Sequence, residues 1–324
     1  MYTSNQLLEK VNQALDHLAY DRQPQGLYAP IKYELSLGGK RLRPVLMLLT
    51  YNMYKEDVEN IMMQALGLEI YHNFTLLHDD VMDRADVRRG KPCVHKVWND
   101  NTAILSGDTM IVDSFIRMQQ CDPAHLPDVM DVFSRTALEI SEGQQYDMEF
   151  ESRNDVKEEE YLEMIRLKTS VLLACAVKIG ALLGDATNED AALLYDFGEK
   201  IGLAFQLQDD YLDVYGDFAV FGKRIGGDIL CNKKTYLLIK AFEHANEGQR
   251  KELESWVSRT EYAPQEKIDA VTRLYNEIGV RELCDQKINM FFQLAEQSLQ
   301  KVSLPWEKKS QLWNYALQLM SRKS

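Results

Sequence analysis

The sequence predicts an all-α fold, because apolar residues recur at helical spacing through almost its whole length. In the first such stretch, Leu7, Val11 and Leu18 would fall on one face of a helix, and Pro24 then interrupts the pattern. Of the 324 residues, 45% are hydrophobic and 27% are charged, which suits a sizeable core. Since no Gly-rich or Pro-rich linker divides the chain, residues 1–324 are expected to form one domain.

The same pattern places the remaining helices in order. Pro30 is predicted to open a second helix, which Gly38 ends before a basic turn. Further helices are predicted over residues 45–54, 58–81, 101–118, 129–150, 161–184 and 201–214. Residues 216–234, rich in Gly and Lys, are predicted to be a mobile loop that closes over an anion. The helical pattern resumes at residue 235 and continues to residue 319.

The helix over residues 58–81 leads into LHDDVMDRADVRRG, in which carboxylates and arginines are crowded together. On a helix, Asp79 and Asp83 lie one turn apart on the same face, with Asp80 beside them. Because three close anions repel one another, divalent cations are expected among them, and oxygen ligands favour Mg²⁺. Arg88 and Arg89 fit a phosphate ligand, since planar guanidinium groups bind phosphate oxygens in pairs.

A second aspartate cluster, QDDYLD, lies far downstream within the predicted helix 201–214. Asp209, Asp210 and Asp213 repeat the spacing of the first cluster. Two such clusters on separate helices are expected to face each other and hold a metal-bound diphosphate. A single DDxxD motif could equally be a solvated acidic helix end, but two copies make that interpretation much weaker.

Basic residues outside the clusters are further candidates for anion binding. In GGKRLRP, adjacent glycines let the backbone approach a ligand, and Lys40, Arg41 and Arg43 bring three charges into one turn. The alternative is an ordinary helix-breaking basic turn. His72, seven residues before the first aspartate, would contact phosphate or else be a satisfied core histidine. Lys168 either lies along the surface or points toward the same site.

Composition excludes several other classes of function. The net charge of −13 argues against a nucleic-acid surface, because phosphate backbones are bound by excess Lys and Arg. The five cysteines include no CxxC pair, so neither a zinc site nor a disulfide framework is indicated, and a reducing cytoplasm fits best. No transmembrane segment is predicted, because the most apolar run, residues 171–183, is interrupted by Lys178 and is too short.

Taken together, GGKRLRP, LHDDVMD followed by RRGKP, LKT, FQLQDDYLD, FGK and GDI resemble the trans-isoprenyl diphosphate synthases. This family makes geranyl, farnesyl, geranylgeranyl and longer polyprenyl diphosphates. The resemblance implies an all-α, single-domain helical bundle of the isoprenoid synthase type, with a central active-site cavity and the aspartate clusters at its mouth. It also implies a homodimer that uses isopentenyl diphosphate and an allylic diphosphate as substrates.

The resemblance assigns a role to each matching residue. Three Mg²⁺ ions would be ligated by Asp79, Asp83 and Asp209, supported by Asp80, Asp210 and Asp213. The allylic diphosphate would be held by Arg88, Lys168 and Lys223. Isopentenyl diphosphate would be bound by Gly39, Lys40, Arg43, His72 and Arg89, with Lys233 nearby as a closing cation. Partial negative charge would be presented to the allylic carbocation by Thr169 and Gln206.

Two other classes of protein stay open as alternatives. A class I terpene cyclase also carries a DDxxD motif, but its second metal motif normally ends in Glu, which QDDYLD does not match. A non-catalytic subunit of a heteromeric synthase usually lacks an intact aspartate cluster, whereas both are intact here. The intact pair therefore favours the catalytic synthase.

Product length is predicted from the residues just before the first aspartate cluster. In the family, bulky residues here form the floor of the pocket for the growing tail. Phe74, beside Thr75 and one turn from Tyr71, resembles the pattern that gives geranylgeranyl diphosphate, and farnesyl or a longer product is the alternative. If these residues do not form the floor, the next candidates are Met110, Ile111 and Phe115.

Overall fold

The computed structural model describes residues 1–216 and 225–321, and it confirms the all-α prediction. The helices, numbered in chain order, are α1 (Ser4–Asp16), α2 (Gln25–Ser36), α3 (Leu42–Tyr51), α4 (Met62–Met82), α5 (Val94–Val97), α6 (Asp100–Met118), α7 (Leu126–Ser152), α8 (Glu158–Ile165), α9 (Val171–Leu183), α10 (Asn188–Tyr215), α11 (Gly227–Leu230), α12 (Tyr236–His244), α13 (Glu247–Ser258), α14 (Pro264–Ile278), α15 (Val280–Lys301) and α16 (Trp306–Met320). A 3₁₀ turn, Val58–Ile61, precedes α4, and a π-helical segment, Arg166–Ser170, joins α8 to α9. Within the described ranges, β1 (Val87–Arg88) and β2 (Lys91–Pro92) form an antiparallel pair.

Backbone contacts divide the chain into two compact units. The first unit comprises Met1–Ser134, Cys175–Ala192 and Ser303–Leu312. The second unit comprises Arg135–Ala174, Leu193–Val302 and Trp313–Ser324. The expectation that residues 1–324 form one domain stays a prediction.

In the first unit, α4 packs along α6, and α2 packs on both. The helices share a buried apolar core that includes Ile70, Leu77 and Met110. Close approach is possible at Gly107, where a β-carbon would lie 2.2 Å from Nε2 of His78. Each large apolar side chain buried here contributes about 1.5–3 kcal/mol, so the C-terminal half of α4, which leads to the first aspartate cluster, is firmly held.

In the second unit, α10 lies in a core with α8 and α12 to α15. Leu207 on α10 and Tyr161 on α8 are almost completely buried in that core. Gly202 allows the π-helical segment to approach α10, because a β-carbon there would lie 2.5 Å from Cα of Ser170. The second aspartate cluster therefore begins directly after a rigidly packed stretch of α10.

Three sequence predictions differ in detail from the structure. The prediction that Pro30 opens the second helix is wrong, because α2 begins at Gln25 and contains Pro30 in its interior. The single helix predicted over residues 161–184 is divided in the structure, because the helical hydrogen bonds change to a π-helical pattern over Arg166–Ser170. The predicted loop 216–234 includes residues 217–224, outside the described ranges, and the short helix α11. Among the described helices, none has the length and apolarity needed to cross a membrane.

Candidate active site

The C-terminal end of α4 presents the first aspartate cluster. Asp79 and Asp80 lie in its last turn, and Asp83 caps the helix with φ −80° and ψ −6°. The backbone N–H of Asp83 donates to the carbonyl of Asp79 over 2.8 Å, so these two residues are one helical turn apart, as predicted. Asp83 is exposed, whereas only 2% of Asp80 is exposed. The cluster therefore has an outward side and a buried side.

The buried side of the first cluster is an ion pair between Asp80 and Arg88. Nε of Arg88 donates to both carboxylate oxygens over 2.9 and 2.8 Å, and Nη2 donates to Oδ1 over 2.6 Å. Removing one partner of such a buried pair typically costs about 3–5 kcal/mol. Arg88 therefore fixes Asp80, while the contact of Arg88 with an allylic diphosphate and the supporting role of Asp80 stay predictions.

The hairpin formed by β1 and β2 brings both adjacent arginines to the end of α4. Its turn is Arg89-Gly90, and both residues have positive φ, 52° and 77°, which matches a tight two-residue hairpin. Arg89 donates through Nη1 to the carbonyl of Gly38. A β-carbon on Gly39 would lie 2.8 Å from Nη2 of Arg89, so only glycine lets this guanidinium lie against the turn.

The basic turn uses its three cations in different ways. Arg41 is buried and donates to Oε1 of Glu69 over 2.8 Å and to the carbonyl of Leu35 over 2.9 Å. Lys40 is exposed. Nε of Arg43 is buried without a hydrogen-bond partner among the described residues. Burial lowers the pKa of Arg43 to about 10, which leaves it charged at neutral pH, so Lys40 and Arg43 are the cations suited to an incoming anion.

His72 lies in the positive field of the neighbouring arginines. Burial, followed by the charges of Arg43 and Arg89, places the pKa of His72 well below its ordinary value. The ring is therefore neutral at physiological pH and offers one donor and one acceptor. Two buried acids that the sequence analysis missed, Glu34 and Glu69, offset part of this positive charge.

Glu34 is the less usual of these two acids. It is 0% exposed, and neither carboxylate oxygen has a hydrogen-bond partner within the described residues. Burial and the charge of Asp80 raise the pKa of Glu34 to about 7, against the opposing effect of Arg88. No sequence signal marks such a residue, because its environment comes from segments far along the chain.

The residues predicted to set product length lie in a row of aromatic contacts. The ring of Phe74 meets that of Tyr71 edge-on, with centroids 5.0 Å apart, and Tyr71 meets Phe133 at 5.3 Å. Phe133 in turn contacts Phe115 at 4.8 Å. The hydroxyl of Thr75 donates to the carbonyl of its own helix at His72 over 2.8 Å. The sequence analysis missed Phe133, which connects two of its candidates.

In the second unit, a chain of hydrogen bonds fixes the second aspartate cluster. Thr169 donates to Oε1 of Gln206 over 3.1 Å, and Nε2 of Gln206 donates to Oδ1 of Asp210 over 3.0 Å. The hydroxyl of Tyr161 donates to the other oxygen of Asp210. Burial and the charge of Asp228 raise the pKa of Asp210 above its usual range. The predicted pair Thr169 and Gln206 is thus brought together beside the cluster.

The π-helical segment presents Lys168. A β-carbon on Gly143 would lie 2.3 Å from the backbone nitrogen of Lys168, so glycine is needed where α7 passes this segment. Nζ of Lys168 donates to Asp147 on α7 over 2.6 Å. Although burial opposes ionisation, the charges of Lys168 and Lys233 lower the pKa of Asp147. Asp147 was not predicted from the sequence. It ends EGQQYD, a polar run within a long helix, and that run could have marked it.

Lys233 follows α11 and lies in the field of several carboxylates. Burial opposes its charge, but Asp228, Asp147, Asp210 and Asp209 together raise the pKa of Lys233. Asp213 supports the same segment, because its Oδ2 accepts the backbone N–H of Asp228 over 2.9 Å. Lys223, also predicted for this site, lies outside the described residues.

The carboxylate oxygens of the two clusters suit Mg²⁺ whose remaining ligands are phosphate oxygens of a substrate. Among the described residues, no three His, Cys, Asp or Glu side chains converge as a ready metal cage. Protein donors hold Asp80, Asp210 and Asp213 (Asp213 through the N–H of Asp228). Asp79, Asp83 and Asp209 are the ligands that the resemblance predicts, and that assignment stays a prediction. Mg²⁺ keeps several waters and needs only one or two carboxylates when phosphate oxygens complete its shell, so this sparse set of oxygens is suitable.

Comparison with known proteins identifies the family of the chain. The family model described as polyprenyl synthetase matches residues 24–277. Geranylgeranyl diphosphate synthase of Methanosarcina mazei is 45% identical over 235 residues, which cover 72% of each chain. Short chain isoprenyl diphosphate synthase of Methanocaldococcus jannaschii is 41% identical, with 78% of this chain and 77% of the relative covered. A crystal structure of a geranylgeranyl pyrophosphate synthase superposes with a TM-score of 0.94 at 44% identity, and 100% of each chain is covered. The chain therefore belongs to the polyprenyl synthetase family.

Proposed function

We propose that the protein is a trans-prenyltransferase that condenses isopentenyl diphosphate with allylic diphosphates, mainly to geranylgeranyl diphosphate. The observation that carries this proposal is the presence of two intact aspartate clusters, each with cations at hand. Arg88 accompanies the first cluster, and Lys168 and Lys233 accompany the second. Carboxylates with adjacent cations are what a metal-bound diphosphate requires.

In the first unit, the proposal assigns isopentenyl diphosphate to the basic turn and hairpin. The buried Nε of Arg43, which has no hydrogen-bond partner among the described residues, and the exposed Lys40 would contact its phosphate oxygens. Arg89 would do so from its place against Gly38 and Gly39. Because His72 is neutral, it would contribute a hydrogen bond without adding charge to this crowded positive field.

In the second unit, Lys168 would hold the allylic diphosphate as its C1–O bond breaks. The resemblance placed Lys233 near isopentenyl diphosphate, but the carboxylates of the second cluster lie in its field, so we assign Lys233 to the allylic diphosphate instead. Asp79, Asp83 and Asp209 would hold three Mg²⁺ ions, whose positive charge would offset the charge of the departing diphosphate. Oε1 of Gln206, oriented by Thr169, would face the allylic cation with a partial negative charge. The double bond of isopentenyl diphosphate then forms the new carbon–carbon bond, and the released diphosphate accepts the proton.

The proposal for product length rests on Phe74 and Tyr71. Their edge-on contact makes a wall of two rings near the end of α4, and Phe133 and Phe115 continue the row behind Tyr71. A wall at this position would stop the growing tail, and each helical turn of about 5.4 Å corresponds to about one isoprene unit. The names of similar proteins favour geranylgeranyl diphosphate, and farnesyl diphosphate or a longer product is the alternative.

A homodimer is also part of the proposal. Leu105, Val112 and Ile116 on α6 are exposed by 58%, 59% and 45%, and their spacing places them on one face. Such a stripe is suited to burial against a second copy of the chain.

We place the enzyme in the cytoplasm, because free cysteines without a disulfide framework fit a reducing compartment.

The proposal is tested by incubating the purified protein with Mg²⁺, labelled isopentenyl diphosphate and each allylic primer in turn. Chromatography of the dephosphorylated products should show linear prenyl alcohols, mainly with four isoprene units, as implied by geranylgeranyl diphosphate. A cyclic hydrocarbon would identify a terpene cyclase instead. No turnover from any primer, with the chain folded by circular dichroism, would favour a non-catalytic subunit.

A further inference from the structure

The second unit contains a buried lysine that the proposed mechanism does not use. Lys267 on α14 is only 1% exposed. Its Nζ donates to Oδ1 of Asn232 over 2.7 Å and to the carbonyl of Leu230 over 3.4 Å, and it lies 4.4 Å from the centre of the Tyr262 ring. Burial lowers the pKa of Lys267. Because burying a lysine is costly, a fold that needed only core packing would place an apolar residue here.

The contacts of Lys267 converge on a single turn, residues 230–232. Asn232 has φ 53°, a left-handed conformation that asparagine tolerates better than most residues. Its Nδ2 donates to the carbonyl of Val257 over 3.1 Å, so the amide is held from both sides. The hydroxyl of Tyr262 also donates to the carbonyl of Leu230 over 3.1 Å. These contacts fix the orientation of the turn.

Lys233 comes directly after this turn. Its backbone N–H donates to the carbonyl of Asp228 over 2.9 Å, and its ammonium lies in the combined field of the carboxylates named above. The start of the segment is anchored by Asp213, whose backbone carbonyl accepts the N–H of Gly226 over 2.6 Å. The position of the Lys233 ammonium therefore depends on one anchor at each end, Asp213 and Lys267.

We propose that Lys267 is a positioning residue that holds Lys233 beside the second aspartate cluster through Asn232. The inference rests on the proposed function, in which Lys233 helps to hold the allylic diphosphate. Lys267 does not touch substrate in this scheme. Lys267 restricts the turn at residues 230–232 and thereby the position of Lys233. Even a small displacement of a charged group from a reacting centre lowers the rate.

The test is Lys267→Met, which keeps a long apolar side chain and removes the hydrogen bonds. We expect kcat to fall by about 10-fold, or about 1.4 kcal/mol. The KM for isopentenyl diphosphate should change by less than about 2-fold, because that substrate is assigned to the first unit. Lys251→Met on α13 is the matched control, since Lys251 has a side chain 71% exposed and should leave kcat unchanged.

A double-mutant cycle separates positioning from general stability. In a Lys233→Ala background, Lys267→Met should cause almost no further loss of kcat, because the ammonium that it positions is gone. If Lys267→Met lowers kcat as much in the Lys233→Ala background as it does in the wild type, the proposal is overturned. Equal loss of apparent affinity for both substrates would also overturn it.

If Lys267→Met does not fold, a second variant tests the same proposal. Asn232→Gly removes the acceptor but fits the positive φ, so the turn itself can persist. It should reproduce the fall in kcat, and wild-type kcat in Asn232→Gly would refute the proposal. Absence of prenyl transfer by the wild type would instead count against the proposed function, which keeps the two failures distinguishable.

Discussion

Replacing the buried carboxyl of Glu34 by an amide, Glu34→Gln, should change how the stability of the protein depends on pH. Burial and the charge of Asp80 raise the pKa of Glu34 from 4.5 to about 7, with Arg88 opposing the shift. Between these two values the folded chain keeps a proton that the unfolded chain has already released. The unfolding free energy of the wild type should therefore fall as pH rises through this window.

The magnitude follows from the width of the window. At about 1.4 kcal/mol for each pH unit, the wild type should lose about 3 kcal/mol between the unfolded and folded pKa of Glu34. The loss should be complete above about pH 7, and it should be absent below about pH 4.5. Glu34→Gln has no proton to release between these pH values. Its unfolding free energy should therefore fall by about 3 kcal/mol less than that of the wild type.

Urea unfolding of both proteins, followed by circular dichroism from about pH 4.5 to about pH 8 without metal or substrate, measures this difference. A buried amide adds a cost that does not vary with pH, so the comparison concerns the change with pH and not the absolute values. Glu261→Gln, at an exposed position, is the control. Parallel curves for wild type and Glu34→Gln would refute the reasoning.

Two further predictions concern the substrates. Arg43→Ala or Lys40→Ala should raise the KM for isopentenyl diphosphate by about 10-fold or more and that for the allylic primer much less, as measured by steady-state kinetics. Equal effects on both substrates would show that the assignment is wrong. Phe74→Ala should lengthen the main product by about one isoprene unit, and more with Tyr71→Ala added, as seen by chromatography of the dephosphorylated products. If even the double variant gives no lengthening, the floor of the pocket lies elsewhere, and the next residues to test are Met110, Ile111 and Phe115, together with Phe133, which contacts Phe115.

The sequence was informative where function depends on spacing within one element. Asp79 and Asp83 are one turn apart because they share a helix, and the helix was visible from its apolar periodicity. Thr169 and Gln206 were connected only by resemblance, yet the structure brings them within 3.1 Å. Local patterns and the order of motifs were enough for these predictions.

Contacts between distant segments were not accessible from the sequence. In the basic turn, Arg41 pairs with Glu69, whereas Nε of Arg43 has no hydrogen-bond partner in the described part of the chain. Nothing in the order of the residues distinguishes these neighbours. The hairpin that carries Arg88 was missed because each strand has only two residues and its turn places a non-glycine residue, Arg89, at positive φ. The π-helical segment is defined by its hydrogen bonds, and nothing in the sequence distinguished it from the rest of the helix predicted over residues 161–184.

The proposed function requires that both aspartate clusters take part in the same reaction. The measurement that tests it most directly is prenyl transfer by Asp79→Ala and by Asp209→Ala, with Asp269→Ala at an exposed position as control. Each cluster variant should lose prenyl transfer by about 1,000-fold or more at saturating Mg²⁺. Circular dichroism should show an unchanged fold, because crowded carboxylates in a metal site are not needed for stability. Near-normal turnover in either cluster variant would contradict the account.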